Sequence, residues 1–247
     1  MGRIYVVGMG PGSMADMTPR AKEAIGGADE IVGYSTYIEL IEKHFPGKTF
    51  VSSGMTREVE RCEMVLKKAL EGKNVALVSS GDSGIYGMAG IMLEVVNRSG
   101  QKVDVEVIPG ITAASAAAAV LGAPLMHDFA VISLSDLLTP LELIFKRVEL
   151  AAQGDFVLCL YNPKSKSRTG YIDTARDLLL KHRGPETPVG IVRNAGRENE
   201  ACDITTLKNM PEFEIDMFTL VIIGNSQSYV ENGRLITPRG YRGMGKK

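Results

Sequence analysis

The sequence predicts an α/β fold in which strands and helices alternate in two compact lobes. Short apolar runs such as 75–78 are followed by a turn and then by a stretch with helical periodicity. Strands that alternate with helices form βα units and a mainly parallel sheet. The pattern restarts after the Gly-Ala-Pro sequence at 122–124, so we expect an N-terminal lobe over 1–123 and a C-terminal lobe over 124–247.

The first lobe is expected to contain five strands and the helices that connect them. Its strands are predicted at 3–7, 29–32, 49–52, 74–78 and 103–108. Its helices are predicted after the N-cap Thr18, over 34–44, over 56–71 and over 89–97.

A helix made almost entirely of alanine and serine is expected between Thr112 and Gly122. Thr112 is a suitable N-cap, and Gly122 is suitable for the C′ position. The small side chains would allow the helix backbone to lie close against a sheet or against a bound ligand. The sequence leaves both interpretations open.

The second lobe repeats the alternation of strands and helices. Its strands are predicted at 129–134, 155–161, 188–192 and 218–223, with an edge strand at 235–237. Residues 139–142 fit a capping box with Pro140 at the first helical position, which would begin a helix ending at Gln153. A second helix is predicted over 167–183, and the glycine-rich basic tail from Arg239 is expected to be mobile.

Composition excludes several classes of function. A net charge of −1 argues against a protein that mainly binds nucleic acid or an acidic membrane. No apolar run approaches the ~20 residues of a membrane span, and the chain enters a strand directly without a signal-like leader. The three cysteines are widely spaced and form no CxxC pair, which favours the reducing cytoplasm. The three histidines are far apart, so no metal site is expected.

The most informative stretch is Ser79–Ala89, which follows a predicted buried strand and precedes a helix. It contains three glycines within seven residues, with Asp82 between the first two. Glycines let a backbone approach a ligand closely, and open α/β proteins bind small molecules at the carboxyl edge of the sheet. The alternative is an ordinary tight turn in which Asp82 caps the following helix.

The glycines at 8, 10 and 12 suggest a dinucleotide site, but the residues around them do not fit the dinucleotide-binding fingerprint. The third glycine of the dinucleotide fingerprint would stand where Ser13 is, and no carboxylate ends the second predicted strand. Pro11 also lacks the amide that a phosphate nest would use. NAD and an ordinary Rossmann-type methyltransferase are therefore disfavoured. The absence of a GxSxG or Walker sequence argues against a hydrolase or NTPase.

Several separate motifs occur in the order and spacing of the tetrapyrrole (corrin and porphyrin) methylases, and the chain resembles that family over essentially its whole length. These motifs are Val7–Gly12, Ser80–Asp82, Ile85–Tyr86, Pro109–Ala113, Leu160–Asn162 and Leu220–Gly224. Within the family, the closest resemblance is to the branch that methylates C17 of precorrin-3B or cobalt-factor III in cobalamin biosynthesis, a step associated with corrin ring contraction. The segments that resemble this branch are Gly33–Ile38, Ser79–Ala89, Ser133–Pro140, Tyr161–Arg168 and Arg193–Arg197.

The resemblance implies two αβα lobes of the tetrapyrrole methylase fold, a homodimer, and S-adenosylmethionine in a cleft between the lobes, with S-adenosylhomocysteine as product. The cofactor contacts that it implies are Pro11, Ser80, Gly81, Asp82, Ile85, Tyr86, Thr112, Ala113, Tyr161, Asn162, Ala195 and Leu220. Tyr161 replaces a methionine that is common in relatives, and its ring could cover the adenosine.

A tetrapyrrole substrate carries many carboxylates, so basic side chains that follow strand ends are candidates to bind it. These are Lys164, Lys166, Arg168 and Arg197, each of which could equally be a solvated loop charge. Ring contraction also requires proton movement. Polar residues near the first strand of the second lobe could assist: His127, Ser135 and Asp136, with Asp128 and Ser133 beside them. Alternatively, Asp136 is a loop carboxylate satisfied by amides and His127 is a hinge residue.

Two other functions stay open at this point. One is a methylase of the same fold that acts on another corrin carbon, on uroporphyrinogen or on the diphthamide precursor of a protein. The other is a regulator that binds an adenosine cofactor without catalysis.

Overall fold

The structure is a computed structural model that describes residues 1–54 and 57–241. Two compact units divide between Ala113 and Ala114. Thr56, the predicted start of a helix, and residues 242–247 of the predicted mobile tail lie outside the described residues.

The first unit is built on a five-stranded parallel sheet in the order β3-β2-β4-β1-β5. Its strands are β1 (Arg3–Gly8), β2 (Glu30–Tyr34), β3 (Thr49–Ser53), β4 (Val75–Ser79) and β5 (Asp104–Ile108). Its helices are α1 (Pro19–Gly27), α2 (Ser35–Ile41), α3 (Glu58–Leu70) and α4 (Ala89–Ser99), with short 3-10 turns at Met14–Asp16 and Glu42–His44. The predicted α/β alternation of this unit is confirmed.

The two faces of this sheet are covered by different helices, because consecutive residues of a strand point to opposite faces. Val7 on β1 and Val78 on β4 pack with residues of α1 and α2. Val6 and Leu77, one residue earlier on each strand, pack with residues of α3 and α4. The neighbouring strands β1 and β4 are thus followed by helices on opposite faces. Their carboxyl ends form a topological switch point, the usual ligand-binding place in such sheets.

The second unit contains a five-stranded sheet in the order β10-β9-β11-β8-β7 and a small sheet in the order β12-β13-β6. The helices are α5 (Ala113–Leu121, which begins at the unit boundary), α6 (Leu141–Gln153) and α7 (Tyr171–Leu180), with a 3-10 turn at Met210–Glu212. The strands are β6 (Gly122–Ala123), β7 (Phe129–Ser133), β8 (Val157–Tyr161), β9 (Pro188–Arg193), β10 (Ala201–Thr206), β11 (Thr219–Ile223), β12 (Tyr229–Glu231) and β13 (Arg234–Ile236).

The second sheet is not mainly parallel, contrary to the expectation for βα repeats. Only β7 and β8 pair in parallel, whereas β11 is antiparallel to both β8 and β9, and β10 is antiparallel to β9. The sequence did not predict β10 or β12. Each forms a hairpin with its neighbour in sequence, and a hairpin needs only a short connection instead of a crossover helix.

The unit boundary lies ten residues before the predicted one, because α5 packs with the second unit. A Cβ on Gly190 would stand 2.3 Å from Cδ1 of Leu121, so the end of α5 lies directly on β9. The next two residues, Gly122 and Ala123, pair with β13. Of the two interpretations left open for this alanine-rich helix, the structure supports close packing on a sheet.

The predicted N-caps can be compared with the observed first residues of the helices. The Thr18 side chain accepts a hydrogen bond from the Ala21 amide at 3.1 Å, which confirms this cap. The capping box at Thr139 is wrong, because α6 begins after Pro140 without a side-chain cap. Helix α7 begins four residues later than predicted, because Ser165 and Arg168 close a turn with reciprocal backbone hydrogen bonds of 3.2 and 3.3 Å.

Candidate functional site

The carboxyl edge of the first sheet is formed by three loops that touch through their backbones. Beyond the ends of β1 and β4, Gly10 and Gly81 exchange two backbone hydrogen bonds of 3.1 and 2.8 Å. Both glycines have left-handed backbones, with φ of 79° and 70°. A Cβ on Gly110, after β5, would stand 2.3 Å from the Gly81 oxygen and 2.5 Å from the Gly8 oxygen. The close approach therefore depends on the absence of side chains.

Asp82 joins two of these loops. Its Oδ1 accepts a hydrogen bond from the Gly84 amide at 2.8 Å, and its Oδ2 accepts one from the Gly110 amide at 3.0 Å. The next residue, the fully buried Ser83, donates its hydroxyl to the Ile108 carbonyl at 3.1 Å. Helix α4 begins later, at Ala89, and has no side-chain cap. The alternative interpretation of Asp82 as a simple helix cap is wrong.

The other predicted contacts of the first unit lie at the same edge. Ile85 and Tyr86 are exposed, and Tyr86 has a φ of 54°, a conformation that is rare for a bulky residue. Strain of this kind often occurs at functional sites. A Cβ on Gly81 would stand 3.7 Å from the Ala113 nitrogen and 3.8 Å from Cα of Thr112, so these residues are neighbours. Ser80, Thr112 and Ala113 are partly buried, and Pro11 is buried.

The charge of this edge limits the ligands that it can hold. Residues 8–14, 79–89 and 108–113 contain one carboxylate, that of Asp82, and no lysine, arginine or histidine. A phosphate-bearing cofactor would find no cation within these three loops. Backbone amides, carbonyls and hydroxyls can hydrogen-bond to a neutral nucleoside. The Asp82 carboxylate accepts two amide hydrogen bonds and has further lone pairs that can accept others. The donor set therefore fits S-adenosylmethionine, which has a neutral adenosine, a sulfonium cation and a zwitterionic amino acid.

In the second unit, most predicted site residues also share one edge. Strands β7, β8 and β9 run in the same direction, and β11 runs opposite to β8 and β9. The carboxyl ends of the first three therefore lie beside the amino end of β11. The predicted residues at this edge are Ser135, Asp136, Tyr161, Asn162, Lys164, Arg168, Ala195, Arg197 and Leu220.

His127 does not belong to this group. It precedes β7, whereas Ser135 and Asp136 follow it, and the five-residue strand alone spans about 13 Å. The structure therefore separates His127 from the other two predicted catalytic residues. Its Nδ1 accepts a hydrogen bond from the adjacent Asp128 amide at 2.9 Å, so its local partner lies at the opposite edge of the sheet.

Arg168 connects the loops that follow β7 and β8. Its Nη1 donates to the Leu134 carbonyl at 2.9 Å and to the Asn162 carbonyl at 3.3 Å, and its Nε lies 3.8 Å from Oδ1 of Asp136. Only 11% of the side chain is exposed. The docking role of Arg168 stays a prediction, and the structure shows that its guanidinium also holds the two loops together.

Asp136 has a second partner that the sequence analysis missed. The Tyr171 hydroxyl, at the start of α7, donates to Oδ2 of Asp136 at 2.8 Å. This hydrogen bond, together with burial, raises the pKa of Tyr171. The Tyr171 ring meets Phe145 of α6 edge-on at 6.0 Å. Asp136 is thus held by side chains, not by nearby amides as the alternative interpretation supposed. No sequence motif marked Tyr171, which lay inside the predicted helix.

The other predicted residues at this edge differ in their hydrogen-bond partners, ring contacts and burial. Ser133 Oγ accepts from the Asn162 side-chain amide at 2.9 Å and from the Ser135 backbone amide at 3.2 Å. The Tyr161 hydroxyl accepts from the Ala114 amide at 2.8 Å. The Arg197 guanidinium lies 5.8 Å from the centre of the Phe218 ring, within the range of a cation–π contact. Leu220 is buried, Ala195 and Lys164 are partly buried, and Lys166 is exposed.

The described ranges contain no candidate metal cluster, and their two buried thiols are unreactive. Residues 1–54 and 57–241 contain no group of three or more His, Cys, Asp or Glu that could hold a metal ion. Burial raises the pKa of the Cys62 and Cys159 thiols to about 12, so neither is a nucleophile at neutral pH. In the same ranges, no helix has the length and apolar character needed to cross a membrane.

Comparisons with known proteins agree with the motifs. A family model for tetrapyrrole (corrin/porphyrin) methylases matches residues 3–211. A probable cobalt-factor III C(17)-methyltransferase of Salmonella typhimurium is 52% identical over 96% of this chain and 99% of its own length. A cobalt-factor III methyltransferase of Priestia megaterium is 51% identical over 98% of this chain, which spans 45% of that longer protein.

Solved structures show the same similarity. The crystal structure of the methyltransferase CobJ matches with a TM-score of 0.91 and 36% identity, over 96% of this chain and 100% of that one. A uroporphyrin-III C-methyltransferase from Thermus thermophilus, complexed with S-adenyl homocysteine, matches with a TM-score of 0.68 and 25% identity, over 90% of this chain and 97% of that one.

Proposed function

Since the chain belongs to the tetrapyrrole (corrin/porphyrin) methylases, we propose that it is an S-adenosylmethionine-dependent methyltransferase that methylates C17 of cobalt-factor III or precorrin-3B. Methylation is accompanied by ring contraction, as a step of cobalamin biosynthesis. The observation that carries this proposal is the similarity, over nearly the full length of both chains, to a relative named for this activity.

The cofactor is assigned in the first unit to the three loops that meet around Asp82. Ser80, Gly81, Asp82, Thr112 and Ala113 would hold it, with Pro11, Ile85 and Tyr86 beside them. S-adenosylmethionine supplies a methyl group on a sulfonium sulfur, whose departure needs no protonation. The protein therefore needs mainly to hold the cofactor in place, and correct positioning can lower a barrier by up to ~7–11 kcal/mol. The hydrogen bonds of Asp82 to two loops support this positioning role.

In the second unit, we assign Tyr161, Asn162, Ala195 and Leu220 to the cofactor on the family resemblance. Leu220 is buried, so its contact would come through its backbone. Tyr161 would present its ring, because its hydroxyl already accepts the Ala114 amide.

The tetrapyrrole is assigned to the cations Lys164, Lys166 and Arg197. Proton movement during ring contraction is assigned to Asp136 and Ser135. Their position at one edge of the second sheet supports this assignment, and His127, at the other edge, is left out of it.

We further propose that the protein works as a homodimer in the cytoplasm on this small-molecule substrate, without a membrane or nucleic acid partner. The net charge of −1 supports the absence of an acidic partner. Three free cysteines, two of them buried, support a reducing compartment.

Anaerobic turnover with S-adenosylmethionine tests the proposal, with cobalt-factor III, metal-free precorrin-3B and uroporphyrinogen III compared by absorbance and product mass. We expect a gain of one methyl group with ring contraction on one or both of the first two. Methylation without contraction, or only of uroporphyrinogen III, would favour the other methylases of this fold. Tight cofactor binding without product from any substrate would favour a regulator.

A further inference from the structure

Two adjacent leucines, Leu137 and Leu138, stand in solvent in the loop that follows β7. Leu138 is 93% exposed, more than any other large apolar side chain in the described part of the chain, and Leu137 is 73% exposed. Single exposed leucines are ordinary on protein surfaces. Two in succession at the edge that carries the candidate site form an apolar projection, which we call the leucine tip.

The leucine tip has an anchored base. The Ser135 amide donates to Ser133 Oγ, and the Leu134 carbonyl accepts from Arg168. Asp136, directly before the tip, accepts from Tyr171. The residues on which the tip stands are therefore fixed by neighbouring loops and by α7. These hydrogen bonds fix the residues directly before the two leucines.

Positive charge without a partner lies on the neighbouring loop. Lys164 and Lys166 follow β8, the strand that pairs with β7. Across residues 1–54 and 57–241 neither lysine forms an ion pair, whereas Arg168 in the same loop is used for anchoring. The edge thus presents an apolar projection beside two uncompensated cations. This combination complements a ligand that is both large and apolar and rich in carboxylates.

We propose that Leu137 and Leu138 contact the apolar face of the tetrapyrrole macrocycle, while Lys164 and Lys166 pair with carboxylates on its rim. The inference rests on the proposed function and adds the residues that recognise the substrate. Apolar contact is not directional, so two leucines can seat a broad flat ring, and the lysines restrict binding to polycarboxylates. Arg168, Tyr171 and Ser133 are positioning residues for the tip.

The test is steady-state turnover of cobalt-factor III by the full-length double variant Leu137→Ser/Leu138→Ser. We expect the KM for cobalt-factor III to rise at least tenfold, with the Kd for S-adenosylmethionine and the melting temperature unchanged. The single variant Leu138→Ala should raise KM by a smaller factor, and it guards against a folding defect in the double variant. The matched control is Leu150→Ser, since Leu150 is also exposed but lies on α6, away from this edge.

Other outcomes would overturn the inference. A KM within twofold of the wild-type value in both tip variants would show that the macrocycle does not touch the leucines. A wild-type dimer that becomes monomeric in the double variant, by sedimentation, would show that a second copy covers the tip. An equal rise in KM for Leu150→Ser would remove the specificity of the effect. Failure of the wild-type protein to methylate any tetrapyrrole would instead refute the proposed function.

Discussion

The loops at the carboxyl edges of the two sheets are joined in different ways, mainly through backbone groups in the first unit and through side chains in the second. In the first unit, three loops meet through glycine backbones, and one carboxylate joins two of them. In the second unit, the loops after β7 and β8 are joined by side-chain hydrogen bonds of Arg168, Asn162 and Ser133. The three loops of the first edge contain no lysine, arginine or histidine, whereas the loops of the second contain several.

This difference suits the two unlike ligands that we propose for the two edges. A small cofactor with a neutral base and a cationic sulfur is best bound by backbone amides and carbonyls close to the sheet. A large polycarboxylate cannot come so close, so long side chains must reach it and its charge must be balanced. Four variants, taken from the largest expected effect to the smallest, test whether the two edges are as distinct as their construction indicates.

The largest effect is expected from Gly110→Ala in the first unit. The new Cβ would meet the backbone oxygens of Gly81 and Gly8 at 2.3 and 2.5 Å, and neither oxygen can move without breaking the loop contacts. We expect a loss of about 3 kcal/mol or more in unfolding free energy and no measurable S-adenosylmethionine binding by calorimetry. Gly90→Ala is the control, because nothing lies within 4 Å of its Cβ, and stability should not fall. Equal behaviour of the two variants would contradict a backbone-built edge.

The second effect is expected from Arg168→Ala, which leaves the Leu134 and Asn162 carbonyls without their donor. We expect about 2–4 kcal/mol lower unfolding free energy in urea, with only partial recovery in Arg168→Lys, because an ammonium cannot reproduce the fixed fork of donors. Unaltered stability with a raised substrate KM would instead favour the docking role predicted for Arg168.

The third effect concerns Glu30, a buried carboxylate at the amino end of β2 that pairs with Lys68 and Lys73. Hydrogen bonds from Lys68 and then Lys73 lower the pKa of Glu30 against the opposing effect of burial. Its stabilisation is therefore present above the ordinary carboxyl range near 4.5 and is lost as the pH falls through the lowered value.

Glu30→Gln should reduce this acid dependence and lower stability at neutral pH by about 2 kcal/mol, as measured by urea unfolding from pH 3 to 7. Cofactor affinity should not change, because Glu30 lies at the edge of the sheet opposite to the site. A large loss of S-adenosylmethionine binding would show that the two edges are coupled.

The smallest effect is expected from Tyr171→Phe in the second unit, and it appears at the alkaline end. The hydrogen bond to Asp136 raises the pKa of Tyr171, so its contribution to stability is complete below the ordinary phenol value of 10.0 and is lost as the pH rises through the raised value. The variant should lose the Tyr171 share of the alkaline pH dependence and keep both the share of the buried thiols and the acid part due to Glu30. An unchanged alkaline limb would show that the anchoring bond does not form in solution.

Much of the first unit could be predicted from sequence, because a central strand such as β4 is buried on both faces and forms a continuous apolar run. Strand β10 could not, because it lies at the edge of its sheet and only Ile204 is a large apolar residue. The unit boundary was misplaced because Gly122 marks the end of α5 and not the point where the contacts divide.

The sites show the same limits. The motif around Asp82 predicted a ligand edge and includes Gly84, its partner two residues on, but the hydrogen bond to Gly110 spans 28 residues and has no local pattern. The direction of β7 separates His127 from Asp136 although they are close in sequence. Tyr171 and Arg168 became partners of Asp136 only through tertiary folding.

One pair of variants tests most directly whether the two edges divide the work. For Asp82→Ala and for Lys164→Gln/Lys166→Gln, the Kd of S-adenosylmethionine and the KM of cobalt-factor III are measured side by side. We expect Asp82→Ala to raise the cofactor Kd at least tenfold with KM within threefold, and the lysine variant to do the reverse. A cofactor Kd unchanged by Asp82→Ala, or both constants shifting together in both variants, would contradict the division.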